Sequence, residues 1–370
     1  VNYAQYFGQV GTGGVSGQIN PVTAVTVRYP WADLNGDRFA QPNEIFPTNG
    51  DFRNFQNLTG NWDPNNPSSP STANTIAPNL KNDRTNEVIA GASHEVGRGF
   101  AVDVNYIWRK YDRFQGTFNQ LSAADTTIVT SDNYIASQYP PTCTVAGARC
   151  DTVTAYYPAF QLSGTTRVVM LPTFNRSFNG VEVIGRKRMA DHWMLNGSVS
   201  YNTALQHYGA GDFQSPNNID KLNGAQYAPQ STGSGIGNVF QNARWLAKVG
   251  GMYQAPYAVN VSAFYNARQG YPFEAAVQVL TSLPNGGGTP SILLDPVGDN
   301  RLPTYQNLDL RVERPITFQG VRFIPSLDIF NIGNGNIIQA LRPNQNANNA
   351  NNIQAIVAPR VLRFGVRVNW

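Results

Sequence analysis

The chain has 370 residues and a formal net charge of +4, with only 14% of residues charged. An average soluble domain carries about 25%, and a membrane-crossing helix needs an apolar run of about 18 residues or more. The sequence has neither, so an ordinary soluble domain and a helical membrane protein are both poor fits. Mean hydropathy is below zero. That agrees with a membrane β-barrel, in which apolar residues fill only alternate strand positions and long polar loops dilute them. The basic residues are spread along the chain and do not form a module, which argues against a nucleic-acid partner.

A first short strand is expected within 1–8 and another at 21–31. Gly11-Thr-Gly-Gly14 is no phosphate loop, because no Lys-Ser/Thr pair follows it. Next comes an acidic segment. Counting Asp33 as position one, oxygen-bearing side chains fall at Asp33, Asn35, Asp37, Gln41 and Glu44, with the backbone carbonyl of Phe39 at position seven. That is the spacing of a calcium loop, in which six to eight hard oxygens surround the ion. Arg38 stands where a glycine is usual, and Gly36 is available for the tight turn. The two readings are a structural Ca²⁺ site and a solvated acidic turn. No other cofactor is expected.

Strands follow at 84–96 and 99–112, then at 176–189, 193–206, 241–254, 257–269, 304–315, 320–332 and 359–370. Each shows a period of two, not the 3.6 of a helix. Phe100, Val102, Val104, Tyr106 and Trp108 alternate with more polar partners, as do Trp245, Ala247, Val249, Gly251 and Tyr253. These strands are long by globular standards and match the 9–11 residues of a tilted bilayer crossing. The connections alternate between short turns, such as Ala190-Asp191-His192 and residues 316–319, and long polar stretches at about 31–83, 113–175, 207–240, 269–303 and 333–357. Short turns on one side and long loops on the other are the outer-membrane pattern. Aromatics near strand ends, among them Trp108, Trp193, Tyr201, Trp245, Tyr253 and Tyr265, suit two interfacial girdles.

Cys143 and Cys150 close a small polar loop. A disulfide in an oxidising compartment, a metal pair and two free thiols are the three readings. His94, His192 and His207 have no ligand spacing, and no serine sits in a nucleophile elbow. Glu182 and Asp191 are read as wall or turn charges, so no enzyme activity is expected. Arg109, Arg186, Arg188, Arg244, Lys248, Arg311, Glu313, Arg363 and Arg367 are assigned to the lumen, either lining a conduit or forming a ladder of ion pairs. The run Asn344–Asn352 reads as a mobile polar loop. In the last strand Leu362, Phe364, Val366, Val368 and Trp370 take the apolar face.

The final residues resemble the C-terminal assembly signal of outer-membrane barrels, matched by Arg363, Gly365, Val368 and Trp370. Residues 78–87 (PNLKNDRTNE), 103–109 (DVNYIWR), 178–182 (FNGVE), 186–189 (RKRM), 307–313 (NLDLRVE) and 327–331 (LDIFN) together resemble the barrel half of TonB-dependent transporters. More narrowly they resemble the Oar-like group, which carries a carboxypeptidase-regulatory-like domain upstream. The resemblance covers about residues 78–370. It implies an all-β, antiparallel transmembrane β-barrel, with about 10–11 strands here out of about 22, short periplasmic turns and long extracellular loops. Residues 1–370 would then be the C-terminal part of one barrel domain, without the plug. The implied location is the bacterial cell outer membrane. The implied partners are outer-membrane lipid, the barrel-assembly machinery, an unidentified solute, and TonB through a missing N-terminal region. The expected function is uptake of that solute. The alternatives are a non-transporting adhesin or export-related barrel, and a small autonomous porin.

Overall fold

A computed structural model describes residues 1–8, 17–19, 26–45, 57–59, 72–97, 99–226 and 242–370. Its main feature is an 11-stranded antiparallel sheet. Ten strands make the wall: β1 (Asn2–Phe7), β2 (Arg84–Gly97), β3 (Phe100–Asp112), β4 (Asn175–Ala190), β5 (Trp193–His207), β6 (Trp245–Ala255), β7 (Val259–Arg268), β8 (Tyr305–Glu313), β9 (Val321–Phe330) and β10 (Val361–Asn369). Each pairs with the next in chain order. The eleventh, Ile316–Phe318, extends the register of β8 along β9. Among the described residues, β1 and β10 each have one neighbour, so the sheet is open at both edges.

The register gives each face its chemistry. Val183, Val199 and Ala247 lie side by side across β4, β5 and β6. Leu310, Ile329 and Leu362 do so across β8, β9 and β10. Val183, Val199 and Leu362 are exposed and Ala247, Leu310 and Ile329 half-buried, while Phe364 keeps 78% of its surface accessible. An apolar face this continuous is stable only against lipid. Trp193 pairs with Tyr253 near the short-turn end and Tyr201 with Trp245 near the long-loop end. Eight residues separate the two aromatic rows along β5, about 27 Å at strand rise, close to the height of a barrel's apolar band. The fold is thus all-β and antiparallel, the wall of a transmembrane barrel.

A lysine sits on the lipid face at the short-turn end. Lys187 shares its face with Val183 and Gly185, yet it is only 7% exposed. Its ammonium bends to the hairpin end, donates to the carbonyls of Ala190 (2.8 Å) and Trp193 (3.2 Å), and lies 4.1 Å from the Trp193 ring centre. A charge in lipid must snorkel to a polar layer, and here the turn carbonyls form that layer.

The short connections are tight. Asp191 and His192 take φ of 53° and 69°, and Gln319 and Gly320 take 50° and 81°. Positive φ at both central residues is what a two-residue hairpin needs to match strand twist. Two expectations need correction here. The turn predicted at 316–319 is mostly strand, and the reversal lies at Gln319-Gly320, because Pro315 only interrupts the ladder without ending it. Of the strand predicted at 21–31, the described residues 26–31 do not join the wall: Thr26–Arg28 pairs with Asn57–Thr59, while residues 21–25 lie outside the described set.

The opposite face of the wall is largely polar and crossed by ion pairs. Arg109 binds Glu87, and Arg186 approaches Asp103 at 3.8 Å. Arg311, Asp328 and Arg363 stand in direct register on β8, β9 and β10. Asp328 takes Arg311 at 3.1 Å and Arg363 at 2.8 Å, and Arg311 also reaches Glu313 at 3.0 Å. A ladder of ion pairs describes these charges better than a conduit of free ones. Met194, Met252 and Phe264 form an apolar hollow on the same face near the short turns. Asp328 anchors two guanidiniums, so Asp328→Ala should cost about 2–3 kcal/mol. Arg363→Ala, at a 63% exposed side chain, should cost less than about 1 kcal/mol. Urea unfolding of the full chain in lipid vesicles measures both, and equal losses would show that Asp328 is not the shared anchor.

Candidate functional site: the loop head and its cavity

The buried apolar residues of this chain lie mainly in the loops, above the wall. Val153 and Ala155 pack on Val277, Val279 and Ile292, and a second cluster joins Ala225, Ala276, Leu293 and Val297. The long loops build this core from short ladders. Tyr134–Tyr139 pairs with Val153–Pro158, Ala276–Gln278 with Ser291–Leu293, and Ile338–Leu341 with Ile353–Ile356. Gln115–Asn119 and Thr75–Ile76 flank Thr166–Met170. An aromatic collar sits where β3, β4 and β5 enter the head. Phe174 packs on Phe114 (4.4 Å) and Tyr208 (4.6 Å), with the Arg176 guanidinium 5.4 Å from both Phe rings. Burial there pushes the Tyr208 phenol up to about 12.

Side-chain amides complete this head. Gln120 is fully buried and donates to the carbonyls of Ala73 and Thr166. The Asn-rich run predicted to be mobile is instead docked. Gln345 is 1% exposed, accepts from the Arg149 amide and donates to Asn351. Asn346 exchanges two bonds with the backbone of Gln278. The correction has a simple cause: an amide side chain carries both a donor and an acceptor and can replace a missing strand partner.

The structure joins Cys143 to Cys150, with their Cα atoms 5.9 Å apart. The loop between them is held at Arg149, whose guanidinium bonds Asp295 and Asp151.

Between the Val153–Pro158 and Ser291–Leu293 strands lies a cavity of about 790 Å³. Pro216, Asn218, Asp220 and Lys221 are among its lining residues. The tandem Asn217-Asn218 caps a strand on each side. Asn217 accepts from the Tyr156 N–H (2.9 Å) and donates to the Tyr156 carbonyl (3.0 Å). Asn218 accepts from the Leu293 N–H and donates to the Ser291 carbonyl, both at 2.8 Å. Asn218 holds a left-handed backbone, φ 66°, which asparagine tolerates better than most residues. A volume of this size falls in the range of small-ligand sites. None of its lining residues was singled out from the sequence. An Asn-Asn pair after a proline is a turn signal, and its bridging role depends on two strands distant in the chain.

The acidic loop folds on itself. Asp33, Asp37 and Glu44 each bring a carboxylate oxygen within 4.8 Å of the others. Asp33 accepts from the N–H of Gly36 (2.6 Å) and Arg38 (2.9 Å). Glu44 is fully buried and accepts from Leu34 (2.9 Å) and Gln41 (3.2 Å). Arg38 holds φ 64° and Gly36 φ 79°, so the turn expected at position six forms even without glycine there. Asn35 donates to Asp37 and Gln41, both at 3.0 Å. The Phe39 side chain points out, and its N–H donates to Asp37. Trp31 and Ile45 close the loop with a β-bridge. Three carboxylates at this spacing suit a hard divalent cation.

At the end of the last strand, Trp370 is exposed and Val368 pairs with Phe323. Gly365 faces Ser326, whose hydroxyl would sit 3.2 Å from an added Cβ.

A buried carboxylate also escaped the sequence. Glu274 is 9% exposed, one of its oxygens has no hydrogen-bond partner, and burial raises it to about 7. Arg301 partly offsets this. That guanidinium donates to the carbonyls of Asn242 and Gly270, both at 2.8 Å, and bonds Gln226. Its own value is lowered by burial and by Arg244.

No protein-family model matches the chain, and no curated protein matches it. Among solved structures it is similar to the outer membrane transporter YddB of Escherichia coli (11% identity, 80% of this chain and 34% of that one, TM-score 0.40). It is also similar to the FrpB iron transporter of Neisseria meningitidis (12%, 79% and 32%, 0.41). A third is the siderophore receptor PiuA of Acinetobacter baumannii (12%, 78% and 43%, 0.30). The chain spans about a third of the first two.

The Glu274 carboxyl sets a pH dependence. Its folded value near 7 lies above the ordinary 4.5, so the unfolded head loses that proton first as pH rises. The stability it allows is complete below about 4.5 and is lost as pH rises through about 7. Hydrogen exchange in residues 269–304 should therefore speed up from pH 5 to pH 8, corrected for intrinsic rates. Glu274→Gln should flatten that profile, and an unchanged slope would assign the effect to another group.

Proposed function

We propose that this chain is the wall and loop head of a TonB-dependent outer-membrane transporter or receptor, with the head outside the cell as the place of solute capture. The observation that carries this reading is the 790 Å³ cavity in the head, at the long-loop end of a wall with one lipid-compatible and one polar face. Among the described residues each edge strand carries peptide groups without a neighbouring strand, which lipid does not tolerate. The two edges are completed by further strands of a larger barrel, and this favours a large transporter over a small autonomous porin. TonB contact and a plug belong to a region outside this chain. Folding of β10 proceeds through the barrel-assembly machinery, with Arg363, Gly365, Val368 and Trp370 as the signal read.

Comparison of spent medium from wild-type and deletion strains by mass spectrometry tests the transport reading. At least one solute should remain outside the deletion strain, and also outside wild-type cells whose proton gradient is collapsed. Normal uptake combined with lost surface attachment would instead identify an adhesin.

The acidic loop is proposed to hold one structural Ca²⁺ through Asp33, Asp37 and Glu44, with Asn35, Gln41 and the Phe39 carbonyl completing the shell. Terbium, a luminescent calcium mimic, should be sensitised by the neighbouring Trp31 and displaced by excess Ca²⁺. Glu44→Gln should lower that affinity at least tenfold. A signal that the Gln variant retains in full would leave the segment a plain acidic turn.

A further inference from the structure

The cavity of the loop head offers strand edges as well as side chains. Tyr156 directs its N–H and C=O away from the Tyr134–Tyr139 partner strand, since both bond to Asn217. Peptide groups two residues apart on a strand point the same way. Thr154, which lines the cavity, therefore turns its N–H and C=O to the same outward edge as Tyr156. Across the cavity, Leu293 and Ser291 point their outward groups at Asn218. The two asparagines already bind these edges as a short extra strand would, each giving one donor and one acceptor. Beyond Asn217, no hydrogen bond caps the Thr154 peptide groups among the described residues.

We infer that the cavity takes an extended peptide, which adds as a strand to the Thr154 edge and ends against the amide of Asn217. Main-chain bonds to a sheet edge supply affinity for such a ligand, and alternate side chains supply selectivity. Two ion pairs, Arg149 with Asp151 and Lys221 with Asp220, stand among the lining residues, so a peptide's charged ends would meet both signs of charge there. Leu294 and the Ile292–Leu293 stretch give it an apolar side. A sugar would bind mainly through side chains, whereas an extended peptide also uses the peptide groups of the Thr154 edge.

The inference rests on the reading of the head as the solute-facing end, and it names the class of solute. The test uses the purified full chain in detergent and a pool of random seven-residue peptides with free termini. A second pool is N-methylated at alternate residues, and maltoheptaose serves as the sugar probe. The unmodified pool should be captured, and alternate methylation should weaken capture at least tenfold. Thr154→Pro removes the edge N–H and should weaken capture by a similar factor. Thr154→Val keeps that N–H and should weaken capture less than Thr154→Pro does. An intact Cys143–Cys150 bond and wild-type trypsin resistance show that the Pro variant is folded, and the methylated pool decides the matter without any variant. Equal capture of both pools, or capture of maltoheptaose alone, would overturn the peptide site while leaving the transport reading standing. Peptides captured by the protein but left in the medium by cells would support the site and overturn transport.

Discussion

A peptide group inside a bilayer has no water to bond to, and every other feature of this chain is arranged around that constraint. Each wall strand from β2 to β9 is flanked on both sides, so its ladder groups find partners in the sheet. The departures show how strict the requirement is. Pro315 and Pro325 cannot donate, and the ladder between β8 and β9 is interrupted there. The short strand Ile316–Phe318 nevertheless resumes the same register, keeping the interruption to a few residues. Lys187 obeys the same rule as a side chain, since its charge is carried to the turn carbonyls and is not left among valines.

The constraint also inverts the usual placement of a core. The wall needs no buried apolar layer, because lipid covers one face and polar contacts occupy most of the other. The loops, which lie beyond the bilayer, bury Val153, Val277, Val279 and Ile292 as a soluble domain would. The head thus behaves as a small water-side domain whose ends are fixed to the wall. The collar around Phe174 and Arg176 makes that attachment. A cavity in such a head is held by packed ladders and a disulfide-closed loop, which gives it a defined shape.

The wall was readable from the sequence because its signal is local. Alternation at Leu362, Phe364 and Val366 follows from two-residue periodicity alone, and the matching charges at Asp328 and Arg363 share that period. Nine wall strands and the short N-terminal β1 lie within a few residues of where the alternation placed them. The head was not readable, because its contacts are distant. Arg149 meets Asp295 and Gln345 across long stretches of chain, and Gln120 bridges two carbonyls from separate loops. Polar loop composition signals low burial on average, so a fully buried Gln120 or Gln345 runs against the trend that made the region look unstructured. The acidic loop lies between these cases. Its spacing was visible, but the left-handed backbone at Arg38 was not, since a sequence rule expects glycine there.

The prevalence of asparagine and glutamine in the head follows from the same peptide-group chemistry as the wall. Short ladders have many ends and edges, and each leaves a peptide N–H or C=O to satisfy. Serine and aspartate can answer part of such a pair, but a primary amide can give a donor and an acceptor together without adding charge. Asn346 does this for Gln278, Asn217 for Tyr156, and Asn218 for Ser291 with Leu293. Asparagine adds a tolerance for left-handed backbone, used at Asn218, Asn331 and Asn351, so it can turn the chain and cap an edge at one position. Among the described residues no such amide caps Thr154, the next outward-facing position on the edge that Asn217 caps at Tyr156. A strand edge beside a cavity and without such a cap is where a ligand with a strand's own hydrogen-bonding pattern would fit.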